Sequence, residues 1–223
     1  DVPVGFTDAV FESVSGLTTT GATILSGIDF LPKSVLFYRQ QLQWLGGMGV
    51  VVLAVAILPM LGIGGMQLYR AESPGPVKDN KLVPRLAETA KALWYIYLTL
   101  TVACALAYWA VGMSLFDAIG HSFTTVAIGG FSTHDASMGY FNSAAVDMVA
   151  IVFMFIAGIN FALHFTAWRR RDAKHYLADP EFLFYSFILV SLSIVTVMVL
   201  YFSDIYSNIS ESVIKGVFQV VSG

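Results

Sequence analysis

Two short glycine-centred segments most constrain what this chain can fold into: 18–23, which reads TTTGAT, and 126–132, which reads VAIGGFS. Each follows an apolar stretch that predicts a helix too short to cross a bilayer, and long hydrophobic runs lie close by. Non-helical backbone at membrane depth is tolerated only where it is buried in protein or lines a wet path. Repeated around an axis, such segments form a ring of carbonyls that holds a dehydrated cation. The pattern therefore predicts part of an ion pore.

The composition places the chain among membrane proteins, because 57% of its residues are hydrophobic and only 12% are charged. Of its 12 Lys and Arg residues, five lie within 70–91 and four within 169–174, and none lies between Lys91 and Arg169. Basic clusters beside membrane spans mark the cytoplasmic side. We therefore expect loops 70–91 and 169–181 in the cytoplasm and the glycine-centred segments toward the outside.

Cysteine content and basic residues exclude several other classes of protein. Cys104 is the only cysteine and lies in an apolar run, so neither a disulfide nor a cysteine-based metal site is expected. There is no basic stripe with interleaved aromatics, so nucleic acid is not an expected partner. The sequence starts at Asp1 without a signal-like segment, which predicts an internal piece of a longer protein.

Long and short apolar segments alternate along the chain. Four segments, 35–64, 92–113, 144–168 and 182–203, are long enough to span a membrane. Short helices are predicted at 7–17 and 116–126, and Pro180 is expected early in the last long helix. A shift of 109 residues places Asp8 on Asp117 and Gly21 on Gly130. A third partial copy at 217–223 mirrors 10–16.

These repeats predict an all-α membrane protein. Each repeating unit consists of a membrane span, a re-entrant pore helix with its filter loop, and a second span, and the sequence is expected to contain about four full transmembrane helices. The expected organisation is a first repeat at 1–69 (pore helix, filter and inner span), a cytoplasmic linker at 70–91, a second repeat at 92–168, a second linker at 169–181, and the outer span and partial pore helix of a third repeat at 182–223. Closing a pore requires about four such units, so this stretch holds one whole unit and two partial ones.

The two glycine-centred segments suit a cation filter because carbonyls that all point inward need backbone angles that glycine adopts freely. The expected filter residues are Thr18, Thr19, Thr20, Gly21, Ala22, Ala127, Ile128, Gly129, Gly130 and Phe131. Backbone carbonyls of Thr19, Thr20, Gly21, Ile128, Gly129 and Gly130 are the expected ion ligands. Asp29 and Asp135 lie where they would raise the cation concentration at the outer mouth. Small residues that merely pack helices are the alternative, which the matched second copy disfavours.

Several motifs resemble one known family over essentially the whole chain. They are 12–23 (ESVSGLTTTGAT), Arg39 with 43–49 (QWLGGMG), 57–59 (ILP), 64–65 (GG), 124–132 (TTVAIGGFS) and 158–161 (GINF). These segments resemble the TrkH branch of the Trk/Ktr/HKT superfamily of potassium transporters. The resemblance implies four pseudo-repeats with one key glycine each, K⁺ as the transported ion without an organic cofactor, a homodimer in the bacterial inner membrane, and a cytosolic nucleotide-binding ring of the TrkA type. Glycine rather than serine at position 21 favours potassium over sodium within this family.

Three other functions are alternatives to a potassium pore. Sodium or non-selective transport is the alternative of the same class. An intramembrane enzyme could use His121, His134, Asp135 and Asp147, but neither an HExxH nor a GxSxG motif is present, so no enzyme is expected. A non-conducting scaffold is a third class, which the matched segments disfavour.

A few polar residues in apolar surroundings are expected to support the structure. Glu12 and His121 align on the two short helices and are expected to support the filter rather than touch the ion. Asn160 and His164 share a helix face and are expected to form interhelical hydrogen bonds. Arg39 is expected to pair with a carboxylate or to reach the membrane surface, and it is not assigned to the pore.

Overall fold

A computed structural model describes residues 5–57, 79–203, 206 and 208–222. The helices over these residues are α1 (Phe6–Leu17), α2 (Lys33–Ile57), α3 (Asp79–Ala110), α4 (Leu115–Ala127), α5 (Ala144–Ala157), α6 (Phe161–Arg170), α7 (Lys174–Ala178), α8 (Pro180–Phe202) and α9 (Ile209–Ser222). Short 3₁₀ turns lie at Ile28–Phe30 and Ser137–Phe141. The described part of the chain contains no strand, which confirms the all-α fold class.

The two short helices predicted before the glycine-centred segments are present as α1 and α4. They have 12 and 13 residues, or about 18–20 Å at the helical rise, against a hydrocarbon core of about 30 Å. Both begin with a capping hydrogen bond between matched residues, although in opposite directions: Gly5 N donates to the Asp8 carboxylate (3.2 Å), and Asp117 N donates to Ser114 Oγ (3.2 Å). The third copy is also helical, as the end of α9.

The described residues contain fewer helices that could cross a membrane than the four segments expected from the sequence. In the part of the chain that the structure describes, Ala90–Ala110 and Pro180–Phe202 are long and apolar enough to cross a membrane, and the bent pair α5–α6 makes a third if it is one span. The expected segment 35–64 coincides with α2 as far as Ile57, and its remainder lies outside the described residues. The last long helix begins at Pro180, as predicted, with Asp179 accepting a hydrogen bond from Phe182 N (2.9 Å).

The segment 144–168, predicted to be long enough to span, is not one straight helix, because α5 and α6 meet at an angle of 86°. Asn160 starts a new helix by accepting a hydrogen bond from Ala162 N (3.0 Å). Carbonyl groups at the end of α5 are satisfied from elsewhere: Tyr185 Oη donates to Phe155 O (3.3 Å), and His164 Nε2 donates to Ile156 O (2.9 Å). The bend is thus stable because the carbonyls it releases have new donors.

The predicted loop at 70–91 is partly helical, since α3 begins at Asp79. Residues 79–91 are rich in Leu, Ala, Lys and Glu, which favour a helix, and Pro84 falls within its first turns. The basic residues of this stretch therefore extend the second long helix beyond its apolar part. Residues 70–78 lie outside the described residues.

A pair of glycines in α2 lets this helix contact the ends of both short helices. A Cβ on Gly46 would overlap the carbonyl oxygen of Leu17, the last residue of α1. A Cβ on Gly47 would come within 2.8 Å of Tyr97 Oη and 2.9 Å of Ala127 Cβ, at the end of α4. Because both filter segments start at these helix ends, α2 is the element against which both are placed.

The variant Gly46→Ala is therefore expected to destabilise the full-length protein by about 1–3 kcal/mol, the usual cost of overpacking. The matched control is Gly49→Ala on the same helix, since no described atom lies within 4 Å of a Cβ there. That control is expected to be neutral or to gain up to about 1 kcal/mol, because alanine favours the helix. Thermal unfolding in detergent measures both, and equal midpoints for the two variants would contradict the close contact.

Candidate functional site: a cation filter

The two glycine-centred segments have the same unusual backbone at matched positions. Thr19 (φ 55°) and Ile128 (φ 51°) are left-handed, and so are Gly21 (φ 75°) and Gly130 (φ 83°). Both pairs are 109 residues apart, which is the shift that aligns the repeats. A β-branched residue at positive φ is costly and persists only where the surroundings enforce it, often at functional sites. The two copies of the repeat therefore share their backbone conformation as well as their sequence pattern.

Both segments line one cavity of about 510 Å³. Seven of the ten expected filter residues line it: Thr19, Thr20, Gly21, Ile128, Gly129, Gly130 and Phe131. Thr18, Ala22 and Ala127 do not. The last turn of α4 also contributes, with Thr124 and Thr125, as does α9, with Phe218 and Val221. The structure thus brings three repeats to one cavity.

The backbone carbonyls in this region differ in whether they accept a hydrogen bond from the protein. Among the described residues, no donor reaches the carbonyl oxygens of Thr19, Thr20, Gly21, Ile128 and Gly130. By contrast, Gly129 O accepts from Gln43 Nε2 (2.7 Å), and Ala22 O accepts from Ser15 Oγ (2.6 Å). Backbone carbonyls without a donor need water or an ion. Five of the six expected ligand carbonyls are in this state, whereas that of Gly129 is engaged by α2.

Each short helix holds the C-terminal end of the glycine-centred segment that follows it. Thr23 Oγ1 donates to the Glu12 carboxylate (2.9 and 3.1 Å), and Ser132 Oγ donates to His121 Nε2 (3.0 Å). His121 Nδ1 donates to the Asp117 carbonyl (2.9 Å), which leaves Nε2 as the acceptor. Glu12 and His121 occupy matched positions, as do Thr23 and Ser132. The repeat thus keeps the contact while changing its chemistry.

The helix α2 carries two buried polar residues beside the glycine-centred segments, at positions that the sequence pattern did not predict to lie there. Arg39 Nε donates to Glu12 Oε1 (2.7 Å), and the Arg39 residue is only 2% exposed. Gln43, four residues later, contacts the second filter segment. A signal was available, since Arg39 and Gln43 are spaced i, i+4 and share one face of a helix expected to span the membrane, where polar side chains face partners.

Two acidic residues that follow the glycine-centred segments, Asp29 and Asp135, join the two repeats. Asp29 N donates to Asp135 Oδ2 and Asp135 N donates to Asp29 Oδ2, both at 3.3 Å. The side chain of His134 donates to the Asp29 carboxylate, and this hydrogen bond is the main reason that the pKa of Asp29 is below its usual value. The His134 ring stacks on Tyr140 at 3.5 Å. The lowered pKa keeps the Asp29 carboxylate negatively charged at neutral pH.

The four residues that an intramembrane enzyme could use each contact other residues. His121 contacts Ser132 and Asp147 pairs with Lys215, whereas His134 and Asp135 both contact Asp29. Over the ranges that the structure describes, no group of three or more His, Cys, Asp or Glu side chains could hold a metal ion.

Comparisons with known proteins agree with this geometry. The family model of TrkH, a cation transport protein, matches residues 1–223. The Trk system potassium uptake protein TrkH of Halomonas elongata is 63% identical over 97% of this chain and 45% of its own length. That of Escherichia coli K12 is 60% identical with the same coverage of both chains.

A solved structure is similar as well. The crystal structure of the potassium transporter TrkH from Vibrio parahaemolyticus matches 98% of this chain and 44% of its own, with a TM-score of 0.87 and 53% identity. The chain spans a little less than half the length of the relatives it matches. With the family model matched over all 223 residues, the chain belongs to the TrkH family of membrane-embedded cation transport proteins.

Proposed function

We propose that the chain forms part of a potassium uptake subunit and supplies two segments of its selectivity filter. The observation that carries the proposal is the matched left-handed backbone at Thr19 and Ile128, and at Gly21 and Gly130, beside one cavity. Relatives at least 60% identical are named as potassium uptake proteins, which supports potassium as the ion. Sodium or non-selective cation transport is the alternative.

Conduction would use the carbonyls that lack protein donors. Those of Thr19, Thr20, Gly21, Ile128 and Gly130 would replace water around a potassium ion at similar free energy. Helices α1 and α4 end where the filter segments begin, so the partial negative charge of each C-terminus favours a cation there. No proton or covalent step is required, and no enzyme activity is proposed.

The proposed setting follows from the charge pattern and the family. The basic stretch Arg169–Arg171 and the start of α3 would face the cytoplasm, and Asp29 and Asp135 the outside. We expect a multi-pass subunit in the bacterial inner membrane, with the repeat boundaries given from the sequence. A homodimer and a nucleotide-binding cytosolic ring of the TrkA type are the partners that the family resemblance implies.

Rubidium uptake tests this function directly. The full-length protein, produced in cells lacking other potassium uptake, is expected to restore saturable rubidium uptake that excess K⁺ blocks and excess Na⁺ does not. Uptake is measured with and without the cytosolic partner. Equal competition by Na⁺ would support the non-selective alternative. Absence of uptake by correctly inserted protein with its partner present would contradict the proposal.

A further inference from the structure

We propose that Arg39 and Gln43 of α2 are positioning residues that hold the second filter segment against the first and thereby set the selectivity for potassium. This inference rests on the proposed function, because it assigns these residues a role in the same filter. Neither residue contributes an ion ligand. Each acts on the ligands through contacts with the filter backbone or with the residues that end the filter segments.

Arg39 joins the outer ends of the two segments. Besides its ion pair with Glu12, its guanidinium donates to Ser132 O (3.1 Å) and to Thr23 Oγ1 (3.2 Å). It also lies over the Phe131 ring, 4.3 Å from the ring centre. A planar guanidinium has several donors in fixed directions, so one buried side chain fixes both ends at once. Lysine would offer only a point charge.

Gln43 forms hydrogen bonds with the second segment on both sides of Gly130. Its Nε2 donates to Gly129 O (2.7 Å), and its Oε1 accepts from Phe131 N (3.0 Å). A Cβ at position 129 would come within 2.5 Å of Gln43 Cδ, so only glycine permits this approach. The first of the two adjacent glycines therefore admits Gln43, and the second supplies the left-handed backbone.

The carbonyl of Gly129, which accepts the hydrogen bond from Gln43, also contacts the first filter segment. A Cβ on Gly21 would overlap Gly129 O, so the two filter backbones already touch at this point. A shift of Gln43 would move Gly129 O and with it the spacing of the neighbouring ligand carbonyls. Discrimination between K⁺ and Na⁺ depends on the size and carbonyl arrangement of such a site, so selectivity is the property that should change.

The polar contacts from Arg39 and Gln43 lie only between the first and second filter segments. In the second unit, α5 buries mainly apolar residues, among them Val146, Ala150 and Met154. Its buried carboxylate, Asp147, pairs with Lys215 of α9 rather than with the filter (2.7 Å). The polar support supplied by α2 therefore acts between the first and second segments and is not repeated by α5.

The test compares the ratio of rubidium to sodium uptake, per inserted molecule, in the full-length protein. Gln43→Leu and Arg39→Gln are expected to lower this ratio about tenfold, as loss of buried hydrogen bonds to the filter would. The double variant Glu12→Gln with Arg39→Gln removes both charges and leaves no unpaired carboxylate. It therefore replaces Arg39→Gln in the test if that single variant does not fold. The matched control is Gln40→Leu, because Gln40 is fully buried on the same helix and its amide has no partner among the described residues.

The outcomes separate this inference from the proposed function. A lower ratio in the Gln43 and Arg39 variants, with an unchanged ratio in Gln40→Leu, supports the inference. Variants that are less stable in thermal unfolding but keep the wild-type ratio would overturn it and leave the proposed function intact. A wild-type protein that does not prefer rubidium over sodium would instead refute the proposed function, and the inference with it.

Discussion

Replacing Gly21 by alanine is expected to reduce rubidium uptake by at least about tenfold, since each 1.4 kcal/mol of lost stabilisation costs that factor. Gly21 has a φ of 75°, which costs a residue with a Cβ about 1–2 kcal/mol. The added Cβ would also overlap Gly129 O and push the second filter segment away. Serine, with its larger side chain, is expected to loosen the preference for potassium over sodium as well.

The control for Gly21→Ala is Gly27→Ala. Gly27 has a similar φ of 70°, but the nearest atom to a Cβ there is Phe30 Cδ2 at 3.8 Å. The control therefore carries the backbone strain without the overlap, and it should retain most uptake. Equal losses in the two variants would mean that strain alone explains the effect. An unchanged ion preference in Gly21→Ser would count against Gly21 as a filter residue.

Replacing Lys215 by methionine is expected to destabilise the protein by about 3 kcal/mol, at the low end for breaking a buried ion pair. Lys215 Nζ lies 2.7 Å from Asp147 Oδ2, and the Asp147 side chain is 3% exposed. Without Lys215 that carboxylate is buried and unpaired. The variant also removes an ion pair that joins α9 to α5, so uptake should fall together with the unfolding midpoint in detergent.

A second substitution tests the cause of this loss. Asp147→Asn added to Lys215→Met removes the unpaired charge and is expected to recover much of the stability. Lys174→Met, at an exposed position on α7, is the control for losing a positive charge alone and should be neutral. A double variant no more stable than Lys215→Met would show that the ion pair is not the source of the effect.

Much of the fold could be predicted because its determinants are local. Hydrophobic length separates α8 from the short helices α1 and α4, and Pro180 marks where α8 begins. The 109-residue shift aligned Gly21 with Gly130, and the structure gives both the same backbone. The bend at 158–160 was missed because hydropathy is continuous across it. Its stability depends on His164, which follows the bend in α6, and on Tyr185, which lies 30 residues from the carbonyl it contacts.

The sequence by itself determined that this is a helical membrane protein of the TrkH family with a repeated, glycine-centred segment. Only the tertiary structure decided which carbonyls lack donors and that Arg39 and Gln43 hold the second segment. The physical reason is the range of the interactions. Backbone preference and hydrophobic length depend on neighbouring residues, whereas the bonds from Arg39 and Gln43 to that segment join residues 86 to 93 positions apart and exist only once α2 packs between the short helices.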